Sequence, residues 1–442
     1  MDQMSSRPMA ALRRLEASFA DWLTPWRCRV YPRTIALLLG IAFGVSLLVG
    51  PGITDVSRTI VGADFSAFWI GGRMVLEGRA SELYYSSAQK RRLDQLIAPV
   101  KTDLIHPFVN PPFYAVAMVP LARLPYLGAL ALWWGFGLGC LLLTARWLRA
   151  ASFPERPLSL RESLLLPWLF FPTIIWFLYG QNSALSLALL TAWLLGLRRG
   201  RDVAAGLALG LLFFKPQLGL GPVIVMLAAR RWRGIAAAAV TAGLWTALGY
   251  LAVPGAMRDY LRVAPLLFDF LRSSDYNTWG IISLFGFATN LCDDLSRGLG
   301  SALALLLSAA SVLAIWGAWQ RTAWTPGSRS WDLRMAATTA LGIIMAPHLF
   351  LYDATLLLLP LALMIGRVPA APGRVLDHPV LLARTGLLYA CLFLGPYAVM
   401  VVRAELHRFG WPAPVPQPAT IAALLWIAAV YAESRRPDQP QA

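Results

Sequence analysis

The sequence predicts an all-α, polytopic membrane protein, and three observations carry that reading. Of the 442 residues, 57% are hydrophobic and only 14% are charged. A soluble domain carries about a quarter charged residues, so this chain has too few to cover a water-facing surface. The apolar residues are also bunched: Ile35–Val49, Leu127–Leu143, Leu185–Leu195 and Leu303–Ile315 contain no charge. Runs approaching the ~20 residues needed to cross hydrocarbon become helices, because every backbone polar group must find its partner within the segment. Abundant Leu and Ala, without period-2 alternation, argue against a β-barrel.

The arginines give the chain sidedness. Clusters fall at Arg7/Arg13/Arg14/Arg27/Arg29/Arg33, Arg146/Arg149/Arg156/Arg161, Arg198/Arg199/Arg201 and Arg230/Arg231/Arg233. Later ones are Arg321/Arg329/Arg334, Arg367/Arg374/Arg384 and Arg435/Arg436. Cytoplasmic loops are enriched in Arg, so each cluster is placed inside, with an even number of crossings between successive clusters. The prediction is residues 1–33 as a cytoplasmic N-terminal segment, 34–432 as one polytopic membrane domain and 433–442 as a cytoplasmic tail. About 12 crossings result. This placement also accounts for the net charge of +16 without nucleic acid, since no basic domain forms.

A first helix over about 34–50 leads to an external loop over 51–110. That loop holds seven basic and six acidic residues, a near balance suited to translocation. Within it, Phe65–Leu76 and Ser87–Ile97 read as short interfacial helices. No cleavable signal peptide is expected, because the first apolar run follows an Arg-rich stretch and lacks a cleavage site. Phe113–Leu121 breaks the parity if it crosses, and is predicted to be re-entrant or surface-lying. Between Arg201 and Arg230, parity demands two short helices with an apex at Lys215-Pro216-Gln217. Further external loops are expected at 253–298 and 403–417. Gly206-xxx-Gly210 and Gly135-xxx-Gly139 have helix-packing spacing. The four cysteines sit in separate segments with no CxxC pair, which indicates neither zinc nor a disulfide framework. No phosphate-cradling Gly loop or metal-ligand cluster stands out.

Polar groups at the outer ends are the candidates for chemistry, because ionisable groups at membrane depth are costly and line cavities or pathways. Asp64 could serve as a general base for an acceptor hydroxyl; an N-cap for the helix beginning there is the commoner job for such an Asp. Arg73 suits an ion-pair partner or a phosphate ligand; an interfacial snorkelling cation is the commoner role. Lys215 is one of only three lysines beside 36 arginines and has no carboxylate near it in sequence. As a point charge it would suit a phosphate, although snorkelling is open to it too. His348 reads as a catalyst or as a satisfied hydrogen-bonding residue. Gln181 and Asn182 could hold sugar hydroxyls or cap a helix. Tyr114, Asn277 and Asp353 complete the outward polar set.

The ordered elements resemble a known family. They are Asp64-Phe65…Phe68-Trp69, Gly72-Arg73, Gly78…Leu83-Tyr84, Asn110-Pro111-Pro112-Phe113, Pro120-Leu121, Leu124-Pro125, Gly180-Gln181-Asn182, Ala205-Gly206…Lys215-Pro216, Arg230-Arg231-Trp232 and Pro347-His348. The set resembles glycosyltransferase family 87, the polyprenol-phosphate-mannose-dependent mannosyltransferase type of the GT-C superfold. Phe350-Leu351-Tyr352-Asp353 is a looser fit. The resemblance implies a polyprenyl-phosphate-linked donor of mannose or a similar hexose or pentose, a lipid or glycan acceptor and an inverting displacement. It makes Asp64 the base, and gives the departing phosphate to Lys215 with His348 or Arg73. Gln181, Asn182, Tyr114, Asn277 and Asp353 are then the expected substrate contacts. No cofactor is called for and no metal is required. The expected setting is a bacterial inner membrane, among its lipids, with the site facing the periplasm or exterior. A transporter or flippase is the alternative, which would show paired broken helices in two related halves; one lysine-bearing hairpin stands without such a partner. A polymerase or ligase is the third reading.

Overall fold

The structure, a computed structural model, describes residues 2–102, 105–152, 165–266, 269, 272, 278–368, 372, 373 and 375–436. Among the described residues all regular elements are helical and no strand occurs. The chain opens with α1 (Asp2–Trp22), α2 (Pro25–Val49), α3 (Ala63–Leu76) and α4 (Ser86–Ile97). Then come α5 (Pro112–Ala122), α6 (Tyr126–Ser152), α7 (Phe171–Tyr179), α8 (Ser183–Arg198), α9 (Asp202–Leu211) and α10 (Pro216–Ala228). They are followed by α11 (Trp232–Ala252), α12 (Pro254–Val263), α13 (Leu284–Cys292) and α14 (Arg297–Gln320). The last are α15 (Arg329–Met345), α16 (Leu358–Ile365), α17 (Pro379–Arg408) and α18 (Pro418–Ser434). Asn277, Asp103, Arg156, Arg161, Arg374 and tail residues 437–442 lie outside the described residues.

Helices α2, α6, α11, α14 and α17 are each long and apolar enough to cross a bilayer. Shorter apolar helices of 10–17 residues include α5, α8, α10 and α18. The expected figure of about a dozen crossings counts these as well. A short helix can lie at membrane depth where protein, rather than lipid, surrounds it. Buried side chains from Ala20 to Val430 join one continuous hydrophobic cluster.

The first spanning helix begins at Pro25, about nine residues before the expected start. Thr24 accepts a hydrogen bond from the Arg27 amide and Pro25 occupies the first turn, a helix start set by capping chemistry instead of by hydropathy. Residues 2–22, expected only as a cytoplasmic segment, form α1, which docks on α17 through Arg384 and Glu16 at 2.8 Å.

The two short helices expected in the first loop appear as α3 and α4, within one or two residues of the expected bounds. The Phe113–Leu121 segment is the eleven-residue α5, with Phe113, Tyr114, Ala115 and Met118 buried. At 1.5 Å per residue it spans about 16 Å, roughly half the hydrocarbon thickness. It packs on α3, with the Gly72 backbone close against Met118 and Ala122.

The predicted hairpin is also present: α9 ends in a 3-10 turn (Leu212–Phe214), Lys215 forms the apex and α10 starts at Pro216. Its first arm lies on α11 through the two expected glycines. A Cβ on Gly206 would fall 2.0 Å from the Gly234 carbonyl oxygen, and one on Gly210 2.4 Å from Thr241. The second spacing behaves differently. Gly135 and Gly139 face open space, and it is Gly137 between them that abuts Trp176, at 2.3 Å from a built Cβ. A four-residue spacing marks a helix face without saying which face meets protein. Gly206→Val should therefore force α9 and α11 apart and cost about 1–3 kcal/mol or more. The expected readout is a lowered Tm in detergent, with Gly135→Val unchanged as control.

The loops expected outside meet at one end of the bundle. Tyr84 of the first loop packs on Tyr260 at 5.7 Å. The Val415 amide donates to the Asn290 carbonyl, and Arg403 pairs with Asp294 at 2.9 Å. Residues expected inside also meet: Arg198 and Arg367 both reach the buried Asp332, at 3.1 and 2.6 Å.

Candidate active site

The site is assembled where the start of α3 meets the turn between α7 and α8. Gly62 precedes α3 with φ +70°, and Gly180 ends α7 with φ +63°. Both adopt the left-handed conformation that glycine takes without a Cβ penalty. A Cβ on Gly180 would lie 2.8 Å from Phe65 and 3.4 Å from the Gly62 backbone. Two bare backbones thus touch, and the residues following each turn, Asp64 and Gln181, come within reach. Tyr126 donates to the Val61 carbonyl at 2.6 Å and Trp133 to the Gly180 carbonyl at 2.8 Å, pinning the two turns.

Asp64 does not cap α3. The capping position is Gly62, which makes no side-chain cap, and Asp64 sits in the first turn. There the helix N-terminus favours its ionised form. Its Oδ1 lies 3.1 Å from His106 Nδ1, its Oδ2 accepts from Gln181 Nε2 at 3.0 Å, and Tyr352 donates to it as well. Burial pushes the carboxyl upward. The His106 hydrogen bond and charge, with the Gln181 and Tyr352 bonds, outweigh it and hold Asp64 below the usual carboxylate value. The side chain keeps 17% exposure, enough for a substrate atom to reach it.

The orientation of Gln181 is fixed. Its Oε1 accepts the Asn182 amide at 2.8 Å, which leaves Nε2 to face Asp64. Asn182 donates through Nδ2 to the Tyr114 hydroxyl at 3.1 Å, and Tyr114 stacks on Phe214 at the hairpin turn. Asn110 donates to the Phe214 carbonyl at 3.1 Å, so the first loop and the hairpin are tied at the same level.

A second polar cluster adjoins the first. Lys215 Nζ donates to Asp353 at 2.8 and 3.1 Å, and Ser183 Oγ donates to the same carboxylate at 2.6 Å. Both ionic side chains are nearly sealed, at 6% and 1% exposure. Lys215 has no carboxylate near it in sequence, and its partner lies 138 residues away on the 3-10 segment Leu351–Leu357. Tyr352 joins the clusters. Its hydroxyl bonds Asp64 and its ring lies 5.6 Å from Lys215 Nζ. His348, in the turn after α15, is within electrostatic reach of Asp353, Lys215 and Asp64.

Not every candidate converges. Arg73 stands nine residues beyond Asp64 on α3, roughly 13 Å along the axis. It pairs with Glu77 at 3.1 Å, covers the Trp69 ring at 5.6 Å and donates to the Ala122 carbonyl. It is a surface brace between α3 and α5, apart from the Asp64 cluster. His106 is the member that the sequence did not point to. The available signal was slight: one of four histidines, in the same loop as Asp64 and followed by Pro107. Among the described residues no group of three or more His, Cys, Asp or Glu is placed to hold a metal.

Residues 108–347, just over half the chain, match the family model of glycosyltransferase family 87. That stretch contains Tyr114, Gln181, Asn182 and Lys215, starts after Asp64 and His106, and stops one residue before His348. No curated protein and no solved structure matches the chain.

Proposed function

The chain belongs to glycosyltransferase family 87, and on that premise we propose that this membrane glycosyltransferase draws its sugar from a polyprenyl-phosphate donor. Asp64 acts as the base. It takes the proton of an acceptor hydroxyl, on a lipid or glycan, as that oxygen attacks the anomeric carbon; the bond from that carbon to the phosphate oxygen breaks, and polyprenyl phosphate leaves with the electron pair. The anomeric configuration inverts. The sugar is mannose or a similar hexose or pentose, and the reaction takes place on the outer face of a bacterial inner membrane, with both termini cytoplasmic.

One observation carries this reading: an ionised carboxylate, held by three donors yet still reachable, sits at the loop end of an apolar helical bundle. General-base work needs that combination of fixed geometry and access. Gln181 and Asn182, next to it, supply amides suited to sugar hydroxyls, and the Lys215–Asp353 pair with His348 borders the place where the phosphate would leave. Arg73, paired with Glu77, is left out of the donor site.

The test is to incubate purified protein with a panel of polyprenyl-phosphate sugars and lipid or glycan acceptors, and to read products by mass spectrometry. A glycosylated acceptor with release of polyprenyl phosphate is expected. Product formed only from nucleotide sugars would overturn the donor assignment. Movement of lipid-linked sugar across proteoliposomes without covalent product would favour a flippase.

A further inference from the structure

We propose that His106 is a positioning residue for Asp64, locking the carboxylate through Nδ1 in the attitude from which it takes the acceptor proton. The proposal rests on the reading of Asp64 as the base. His106 lies between α4 and α5, two residues before a point at which the chain is fastened. The Phe108 amide donates to Gln89 Oε1 at 2.7 Å, and Gln89 Nε2 donates to the Leu83 carbonyl at 2.7 Å. Phe108 is 1% exposed and fills the space left by Gly71, where a Cβ would fall 2.9 Å from its ring. The backbone just after His106 is thus held against α3 and α4, and the ring meets Asp64 Oδ1 at 3.1 Å.

The consequence for the carboxylate is geometric. One oxygen is held by His106 and the other by an amide whose own orientation is fixed, so rotation about the Cβ–Cγ bond is blocked. Loss of His106 removes one of the holds on Oδ1 and leaves Gln181 and Tyr352 as the remaining donors. His106 Nε2 is buried with no protein partner among the described residues, so the ring carries no other bond there that would explain its placement. A ring whose protein hydrogen bond goes to one carboxylate is placed for that carboxylate.

The experiment compares His106→Ala with His106→Asn, whose amide nitrogen can occupy the Nδ1 position. In transfer assays on purified protein, His106→Ala should lower kcat about 10–100-fold, the worth of one hydrogen bond to a charged group. The KM of donor and acceptor should stay within about twofold of wild type, and His106→Asn should recover most of the kcat loss. The double variant Asp64→Asn/His106→Ala should be no slower than Asp64→Asn alone, because residues that act through one another are not additive. A raised KM with normal kcat, or losses that multiply in the double variant, would overturn the proposal. Undiminished activity of Asp64→Asn would instead overturn the base assignment, which separates the two failures.

Discussion

Asp64→Asn should lower kcat by about 10²–10⁴-fold, the usual contribution of a positioned general base, while the protein stays folded. The substitution is nearly isosteric, and the one ionisable partner it leaves, His106, can lose its charge by giving up a proton, while Gln181 and Tyr352 are neutral donors. Its one new hydrogen-bond conflict, an amide facing a ring nitrogen, can be relieved by the other tautomer of His106. The Tm should therefore move little, and the loss should appear in kcat instead of KM, since the proton is transferred only as the transition state forms. Because the wild-type carboxyl is held below the usual range, it remains ionised through neutral and mildly acid pH. Protonation of Asp64 should then limit transfer only below the ordinary aspartate value, about 3.9. Undiminished transfer by Asp64→Asn, with normal donor dependence, would remove the carboxylate from the mechanism.

The reach of the sequence can be judged residue by residue. Hydropathy and arginine placement laid out the first loop with its two short helices and the lysine-tipped hairpin, because both signals are local along the chain. The same locality explains the misses. Spacing favoured a cap for Asp64; the structure uses Gly62, and the aspartate is turned toward partners 42 and 117 residues away. Lys215 looked isolated because Asp353 lies in a different helical segment, brought to it by packing. His106 carried no pattern at all, since a lone histidine before a proline acquires a meaning only once α3 lies beside it. For Arg73 the ion-pair reading is the one the geometry matches. The family resemblance offered it to the departing phosphate, whereas nine residues of helix carry it along α3 from Asp64 to Glu77 and Trp69.

The Lys215–Asp353 pair leads to the second large effect. Lys215→Met should strip Asp353 of its counter-ion at 1% exposure, leaving it the Ser183 hydroxyl as a donor at 2.6 Å. Breaking a buried ion pair from one side costs about 3–5 kcal/mol, because an uncompensated charge stays inside. The expected result is a markedly lower Tm in detergent. The double variant Lys215→Met/Asp353→Leu removes both charges and should recover most of that stability, as replacing a whole buried pair by apolar groups is often neutral. The recovered protein then separates structure from catalysis. A Lys215 engaged only with Asp353 and the Tyr352 face would leave the donor KM of the double variant near wild type. A Lys215 that also lends its remaining ammonium proton to the donor phosphate would raise that KM about tenfold or more, the size expected for one charge-assisted hydrogen bond. The geometry favours the second outcome. Two of the three ammonium donors are spent on one carboxylate, which leaves the third for a phosphate, and Tyr352 links this cation to the Asp64 cluster.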